Sequence, residues 1–217
     1  LEDNTTASYN TAVGSQALAN TTTGGYNTGV GRAVMAINST GVNNVAMGYN
    51  TLYFNTTGSQ NVAIGKDAMG SNTTANNNVA VGYNTMAANT TGTQNVAVGF
   101  AALDTNITGN NNTALGYNAL TQNATSNNVA VGMDAMATNT TGTDNIAMGS
   151  YALDANTTGA QNTALGYAAL TSNTTANNNT SVGYTALGSC TTGTANPAVG
   201  TYALESCIDA HRNSAFG

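Results

Sequence analysis

The chain has 217 residues, a formal net charge of −6 and only 6% charged residues, against about 25% in ordinary soluble domains. Three Lys plus Arg are too few for a phosphate-binding surface, so nucleic acid is excluded as a partner. No apolar run approaches the roughly 20 residues of a membrane-spanning helix, so no membrane insertion is predicted, and the regular apolar spacing is not that of a disordered polar tract.

Taken in chain order, one motif recurs. Its anchor is a glycine at Gly14, Gly31, Gly48, Gly65, Gly82, Gly99, Gly116, Gly132, Gly149, Gly166, Gly183, Gly200 and Gly217, stepping by 17 residues except for one step of 16 between Gly116 and Gly132. With this glycine as position zero, the consensus is N-[TV]-A-[VLM]-G-Y-x-A-[LM]-x-x-N-T-T-G-x-[NQ]. The first residues, LEDNTTASYN, are already in register, and the chain stops on position zero at Gly217. The residues 1–217 therefore read as a single continuous array without clear caps. Bare ends template strand pairing, so end-to-end stacking into a polymer, or membership of a longer array, is expected. A longer period overlies the short one: LDTNITG at 103, LDANTTG at 153 and LESCIDA at 204 indicate duplication of three-turn blocks.

Seventeen residues are too few for a helical-hairpin repeat. Short segments rich in Val, Thr and Tyr, separated by N-T-T-G turns, predict strands and turns. The fold class is all-β: a parallel β-solenoid, or β-roll, with one turn per 17-residue repeat and about 12–13 turns. The −1 column (Val13, Val30, Met47, Ile64 and onward) and the +4 Leu/Met column are predicted to point inward. Ala at −2 and +3 is predicted to allow close approach of sheets or neighbouring chains.

Position −4 is always Asn: Asn10, Asn27, Asn44, Asn61, Asn78, Asn95, Asn112, Asn128, Asn145, Asn162, Asn179, Asn196 and Asn213. Asn suits a left-handed turn residue, and stacked copies can hydrogen-bond to one another as a ladder. Position +7 begins an N-x-[ST] triplet at Asn4, Asn38, Asn55, Asn72, Asn89, Asn106, Asn123, Asn139, Asn156 and Asn173. These are glycosylation acceptors, or else turn residues bonding their own backbone. Cys190 and Cys207 fill the same column on the next two turns. One strand spacing, about 4.8 Å, lies within the Cα range that a disulfide allows. A disulfide between them is predicted, with the oxidising, extracellular setting this implies.

Position +1 carries Tyr49, Tyr83, Phe100, Tyr117, Tyr167 and Tyr184, an aromatic stripe that could bind sugars or a neighbouring chain, or simply stabilise the sheet. Enzyme activity is not expected. His211 is the only histidine, and the carboxylates do not cluster, whereas acid–base chemistry needs positioned titratable groups. No cofactor or metal site is predicted; Asp104, Asp154 and Glu205 share the +5 column but stand three turns apart.

The unit N-x-A-[VI]-G-x-x-A, seen at residues 61–68 (NVAIGKDA) and 78–85 (NVAVGYNT), resembles the head repeats of trimeric autotransporter adhesins. The NTALGYNAL of residues 112–120 is similar to repeats of bacteriophage tail fibres and bacterial surface proteins. The likeness covers essentially the whole chain, with longer turns here because of the inserted N-T-T-G, and with no coiled-coil stalk or membrane anchor. It implies a β-roll that forms a homotrimer and binds a host surface or glycans. The functional expectation is an extracellular, cell-surface fibre segment that associates with itself. A carbohydrate-binding tail-fibre segment is one alternative. The other is an ice-binding solenoid, from the Thr columns at +8 and +9.

Overall fold

A computed structural model describes residues 3–217. The chain is an all-β parallel solenoid of about 12 turns with ~17 residues per turn. It forms two compact units, Leu1–Asn111 and Asn112–Gly217. The first contains β1 (Thr11–Val13), β2 (Thr28–Arg32), β3 (Val45–Tyr49), β4 (Val62–Ile64), β5 (Val79–Val81) and β6 (Val96–Val98). The second contains β7 (Thr113–Leu115), β8 (Val129–Val131), β9 (Ile146–Met148), β10 (Thr163–Leu165), β11 (Thr180–Val182), β12 (Pro197–Val199) and β13 (Ala215–Phe216). Within each unit every strand pairs in parallel with the next in sequence. Thr28 faces Val45 and Val62 faces Val79, each 17 residues on. Thr113 faces Val129 across the short step of 16.

A strand of three residues, −3 to −1, can turn only its middle side chain one way and its two outer ones the other. The middle one is Ala, and Ala46, Ala63, Ala80 and Ala97 in the first unit and Ala114, Ala130, Ala147 and Ala164 in the second are 0% exposed. The −1 column therefore points outward, correcting the inward placement predicted for it: Val13, Met47, Ile64, Leu115, Met148 and Leu165 are all exposed. The −3 column shares that outer face, where Val45, Val96 and Ile146 are exposed. The interior is too thin for two large side chains per turn facing each other. It accepts one, the +4 Leu or Met, closed by Ala at −2 and +3. The Ala columns are thus core and not a docking surface for other chains.

The +4 side chain reaches the interior from an uncommon backbone conformation. Leu52 has φ 50°, Met86 50°, Leu120 53° and Leu153 54°. A left-handed residue other than Gly costs about 1–2 kcal/mol, and complete burial of Leu or Met contributes about 1.5–3 kcal/mol. Burial therefore at least offsets the strain at the same residue. Left-handed residues also recur at +2 and −5, as at Asn50 (φ 52°) and Asn43 (φ 59°). The −4 Asn itself is not among them, so its predicted turn role belongs to the residue just before it. The zero glycine is obligatory for two reasons: Gly65 has φ +129°, and any Cβ there would collide with the carbonyl of Gly82 on the next turn.

Candidate functional site

The buried polar layer explains both Asn columns. In the −4 column each side-chain oxygen accepts the backbone N–H of the next copy: Asn44 N to Asn27 Oδ1 at 2.9 Å, Asn61 N to Asn44 Oδ1 at 3.0 Å and Asn162 N to Asn145 Oδ1 at 2.9 Å. Its Nδ2 donates across the turn to the +10 carbonyl, as Asn44 does to Gly58 O at 2.9 Å. The +7 column forms a second ladder that sequence reading did not find. Asn55 Nδ2 donates to Asn38 Oδ1 at 2.7 Å, and Asn156 Nδ2 to Asn139 Oδ1 at 2.7 Å. The same Asn55 Nδ2 also donates to Gly58 O at 2.9 Å. One carbonyl per turn therefore ties both columns together. That convergence explains the +10 Gly, because a Cβ at Gly58 would strike Asn55 Oδ1. Where Ala stands there instead, the +7 bond ranges from 3.1 Å (Asn4 to Ala7 O) through 3.2 Å (Asn173 to Ala176 O) to 3.4 Å (Asn72 to Ala75 O). In the 16-residue repeat the missing residue comes out of this corner, and Thr125 O receives both Asn112 Nδ2 (2.7 Å) and Asn123 Nδ2 (2.8 Å).

This geometry corrects the glycan expectation. Asn38, Asn55, Asn72, Asn89, Asn106, Asn123, Asn139, Asn156 and Asn173 are all 0% exposed, with Nδ2 committed to the interior. A sugar on any of them is incompatible with the folded turn. Asn4 alone of the ten is exposed, and it bonds its own turn through Ala7 O at 3.1 Å.

Cys190 and Cys207 continue the second ladder. Cys190 Sγ approaches Gly193 O at 3.5 Å and Cys207 Sγ approaches Ala210 O at 3.9 Å, the carbonyls that Asn would have used. The two cysteines are 4.2 Å apart and both are free thiols. The predicted disulfide is therefore not formed here. The thiols are held in contact by the column, with Cys190 buried and Cys207 half-buried. Burial pushes the Cys190 thiol up to about 11, with the neighbouring Cys207 adding to the shift. Asn173 Oδ1, which meets Cys190 rather than another Asn, has no hydrogen-bond partner.

The aromatic stripe lies on the surface, from 37% exposed at Tyr49 to 51% at Tyr117. It stacks along the turns. Tyr83 and Phe100 rings are 5.4 Å apart at 14°, and Tyr167 and Tyr184 are 5.3 Å apart at 11°. In the first unit cations take the gaps: the Arg32 guanidinium lies 5.3 Å from the Tyr49 ring and Lys66 Nζ lies 5.1 Å from the Tyr83 ring. Sheet stabilisation thus accounts for much of the stripe, and the rings remain only partly exposed. The Thr columns divide. Thr56 Oγ1 and Thr157 Oγ1 at +8 donate to the +8 carbonyl of the next turn, at 3.0 and 2.9 Å, and the +9 Thr of most turns is exposed.

Titratable groups remain dispersed, and among the described residues no three His, Cys, Asp or Glu side chains converge to hold a metal ion. His211 has a structural post: its Nδ1 accepts the Thr194 N–H at 3.0 Å. Asn76 does the same for Ser59 and Asn177 for Ala160, each at 2.7 Å. Among the described residues no helix is long and apolar enough to cross a membrane. The architecture defines a repeat solenoid, a class built by stacking identical turns. Comparison with known proteins adds nothing to that: no family model, no curated protein and no solved structure matches the chain.

Proposed function

We propose that this chain is a structural segment of an extracellular or cell-surface fibre, in an adhesin-like or tail-fibre-like role, and that copies associate laterally through the outer face of the strand ladder. The observation that carries the reading is the file of exposed aliphatics at −3 and −1. Val45, Met47, Ile64, Val96 and Val98 stand exposed in the first unit, and Leu115, Ile146, Met148, Leu165 and Val199 in the second. Within each unit they repeat with the strand spacing on one sheet face. Contiguous apolar patches above a few hundred Å² are rare on monomeric proteins and mark association surfaces. The same face is nearly uncharged, so covering it desolvates no ion. A partner with the same repeat presents the same spacing, which makes a second copy the natural occupant. The resemblance of the repeat to trimeric adhesin heads supports three copies around one axis. The ice-binding reading draws less support, because the +8 hydroxyls are engaged in the ladder and leave a single Thr file outside.

Sedimentation velocity of the full chain tests the proposal. An oligomer is expected, and Val45→Lys with Val96→Lys is expected to return it to monomer without loss of β-signal in circular dichroism. A wild-type chain that stays monomeric across the concentration range overturns it.

A further inference from the structure

One turn breaks the repeat in a way the fold does not require. At +5 and +6 the other turns carry mainly small or short polar residues, such as Ala19, Gly70 and Ala87 at +5 and Asn20 and Ser71 at +6. The third turn carries Tyr53 and Phe54. Their rings meet edge to face, centroids 4.7 Å apart at 86°, and Phe54 is 50% exposed. An aromatic pair outside the core, at positions where Gly and Ser suffice, is not explained by packing.

The pair forms one wall of a cleft of about 490 Å³ inside the first unit, with Arg32 and Tyr49 of the +1 column also lining it. This volume lies within the roughly 300–1,000 Å³ of small-molecule sites. Gly70, Ser71 and Ala87 leave the space open on the turns that follow, and the +2 residues Gln16, Asn50 and Asp67 contribute polar groups. Among the described residues the side-chain amides of Gln16 and Asn50 have no hydrogen-bond partner. Among the described residues Asp67 forms one ion pair, at 3.5 Å to the half-exposed Lys66, a contact worth little in water. Arg32 Nη1 donates to Tyr49 Oη at 3.3 Å, leaving its other N–H groups available.

We infer that this cleft is an oligosaccharide-binding site, seating one pyranose ring against Tyr53 and Phe54. A pyranose has an apolar C–H face and a rim of hydroxyls that both donate and accept. The cleft offers the complement: open aromatic faces, two free amides that both donate and accept, a carboxylate that accepts and a guanidinium that donates. A purely apolar ligand would leave those polar groups unpaired on burial. Its residues lie at +1, +2, +5 and +6 and not in the −3 and −1 columns, so the inference does not depend on how copies associate.

The test is a printed array of neutral and acidic oligosaccharides probed with the full chain, followed by titration of the best binder. Binding to at least one pyranose oligosaccharide is expected. It should be at least about tenfold weaker in Tyr53→Ala/Phe54→Ala, the scale of losing an aromatic anchor. Asn50→Ala should weaken it with unchanged circular dichroism, and Tyr167→Ala, an exposed ring far along the sequence, should leave it intact. A chain that binds no glycan on the array overturns the inference. So does binding that the Tyr53/Phe54 variant retains, or that Tyr167→Ala removes equally, since the stripe would then be the site. The sedimentation behaviour of the same variants reports separately on self-association.

Discussion

Val34 packs over the bare Cα of Gly29. Gly29 stands at −2, where only it and Ser181 replace Ala, and Val34 is the only Val at +3. A Cβ built on Gly29 would lie 3.4 Å from Val34 Cγ1 and equally close to Leu18 and Met35. One turn has therefore lost one methyl on the sheet side of the core and gained two carbons on the corner side, a net gain of about one methyl. Val34→Ala alone is expected to open a void and cost about 1–2.5 kcal/mol. Gly29→Ala with Val34→Ala rebuilds the arrangement of the other turns and should recover most of that loss. Chemical denaturation of the four members of the cycle measures the coupling. Simple additivity of the two single changes would show that the residues do not share the space.

The second Asn ladder is expected to be sensitive to charge. Asn55 Nδ2 donates to Asn38 Oδ1 and Gly58 O while its Oδ1 accepts from Asn72 Nδ2 at 2.6 Å. Asn55→Ala leaves Asn38 Oδ1 buried without a donor and should cost about 1–3 kcal/mol. Asn55→Asp places an acceptor-only group against two acceptors, so folding should favour its protonated form. The aspartate variant is then expected to lose more stability at pH 7 than at pH 4, relative to wild type at each pH. The alanine variant should show no such difference. Equal losses for Asn55→Asp at both pH values would rule out the ladder donor role.

Much of this architecture is legible in the residues, and the misreadings have physical causes. Invariant spacing gives the turn length, and the zero glycine and the +4 Leu/Met column fall where predicted. The −1 column does not, because large aliphatics on a stacked outer face satisfy strand propensity as well as buried ones do. A three-residue strand carries too little alternation to tell its two faces apart. The +7 column misled in another way. N-x-[ST] is an acceptor sequence only if the Asn is accessible, and here a ladder between turns and the +10 carbonyl have claimed its amide. The signal was present in the +10 Gly, three residues beyond six of the ten Asn, but its meaning depends on how closely consecutive turns approach. The cleft at Tyr53 and Phe54 could be noticed only as a departure from the repeat, since neither residue belongs to a motif.

The cysteines should differ in reactivity. Burial raises the Cys190 thiol to about 11, so little of the reactive thiolate exists near neutral pH. Half-buried Cys207 is expected to alkylate first with iodoacetamide at pH 8, and Cys190 only as the pH climbs toward its raised value. The Cys207 thiolate should attack oxidised glutathione, forming a mixed disulfide and releasing one reduced glutathione, and Cys190, 4.2 Å away, should then displace the second as reduced glutathione to leave one intramolecular disulfide. In the chain-entropy model a 17-residue loop would stabilise the fold by about 3 kcal/mol. Mass spectrometry decides the matter. A persistent glutathione adduct on Cys207, or equal alkylation rates for both thiols, would contradict the geometry.

Acid should stabilise this protein through two carboxyls. Burial raises the pKa of Asp104, with a backbone hydrogen bond from Ala87 opposing it. Burial also raises that of Asp154, with the charge of Asp134 adding to the effect. A carboxyl whose folded pKa lies above its unfolded value binds its proton more tightly in the fold. Its contribution is complete below the unfolded value and is lost as the pH rises through the folded one. Both groups are about half-buried, so solvent screening keeps the effect modest. The thermal midpoint is expected to rise as the pH is lowered from 7 through the carboxylate range, opposite to the usual acid lability. Asp104→Asn with Asp154→Asn should raise the midpoint at pH 7 and flatten the dependence. A midpoint that falls monotonically from pH 7 to pH 4 in wild type, with the same slope in the double variant, would remove these two residues as the cause.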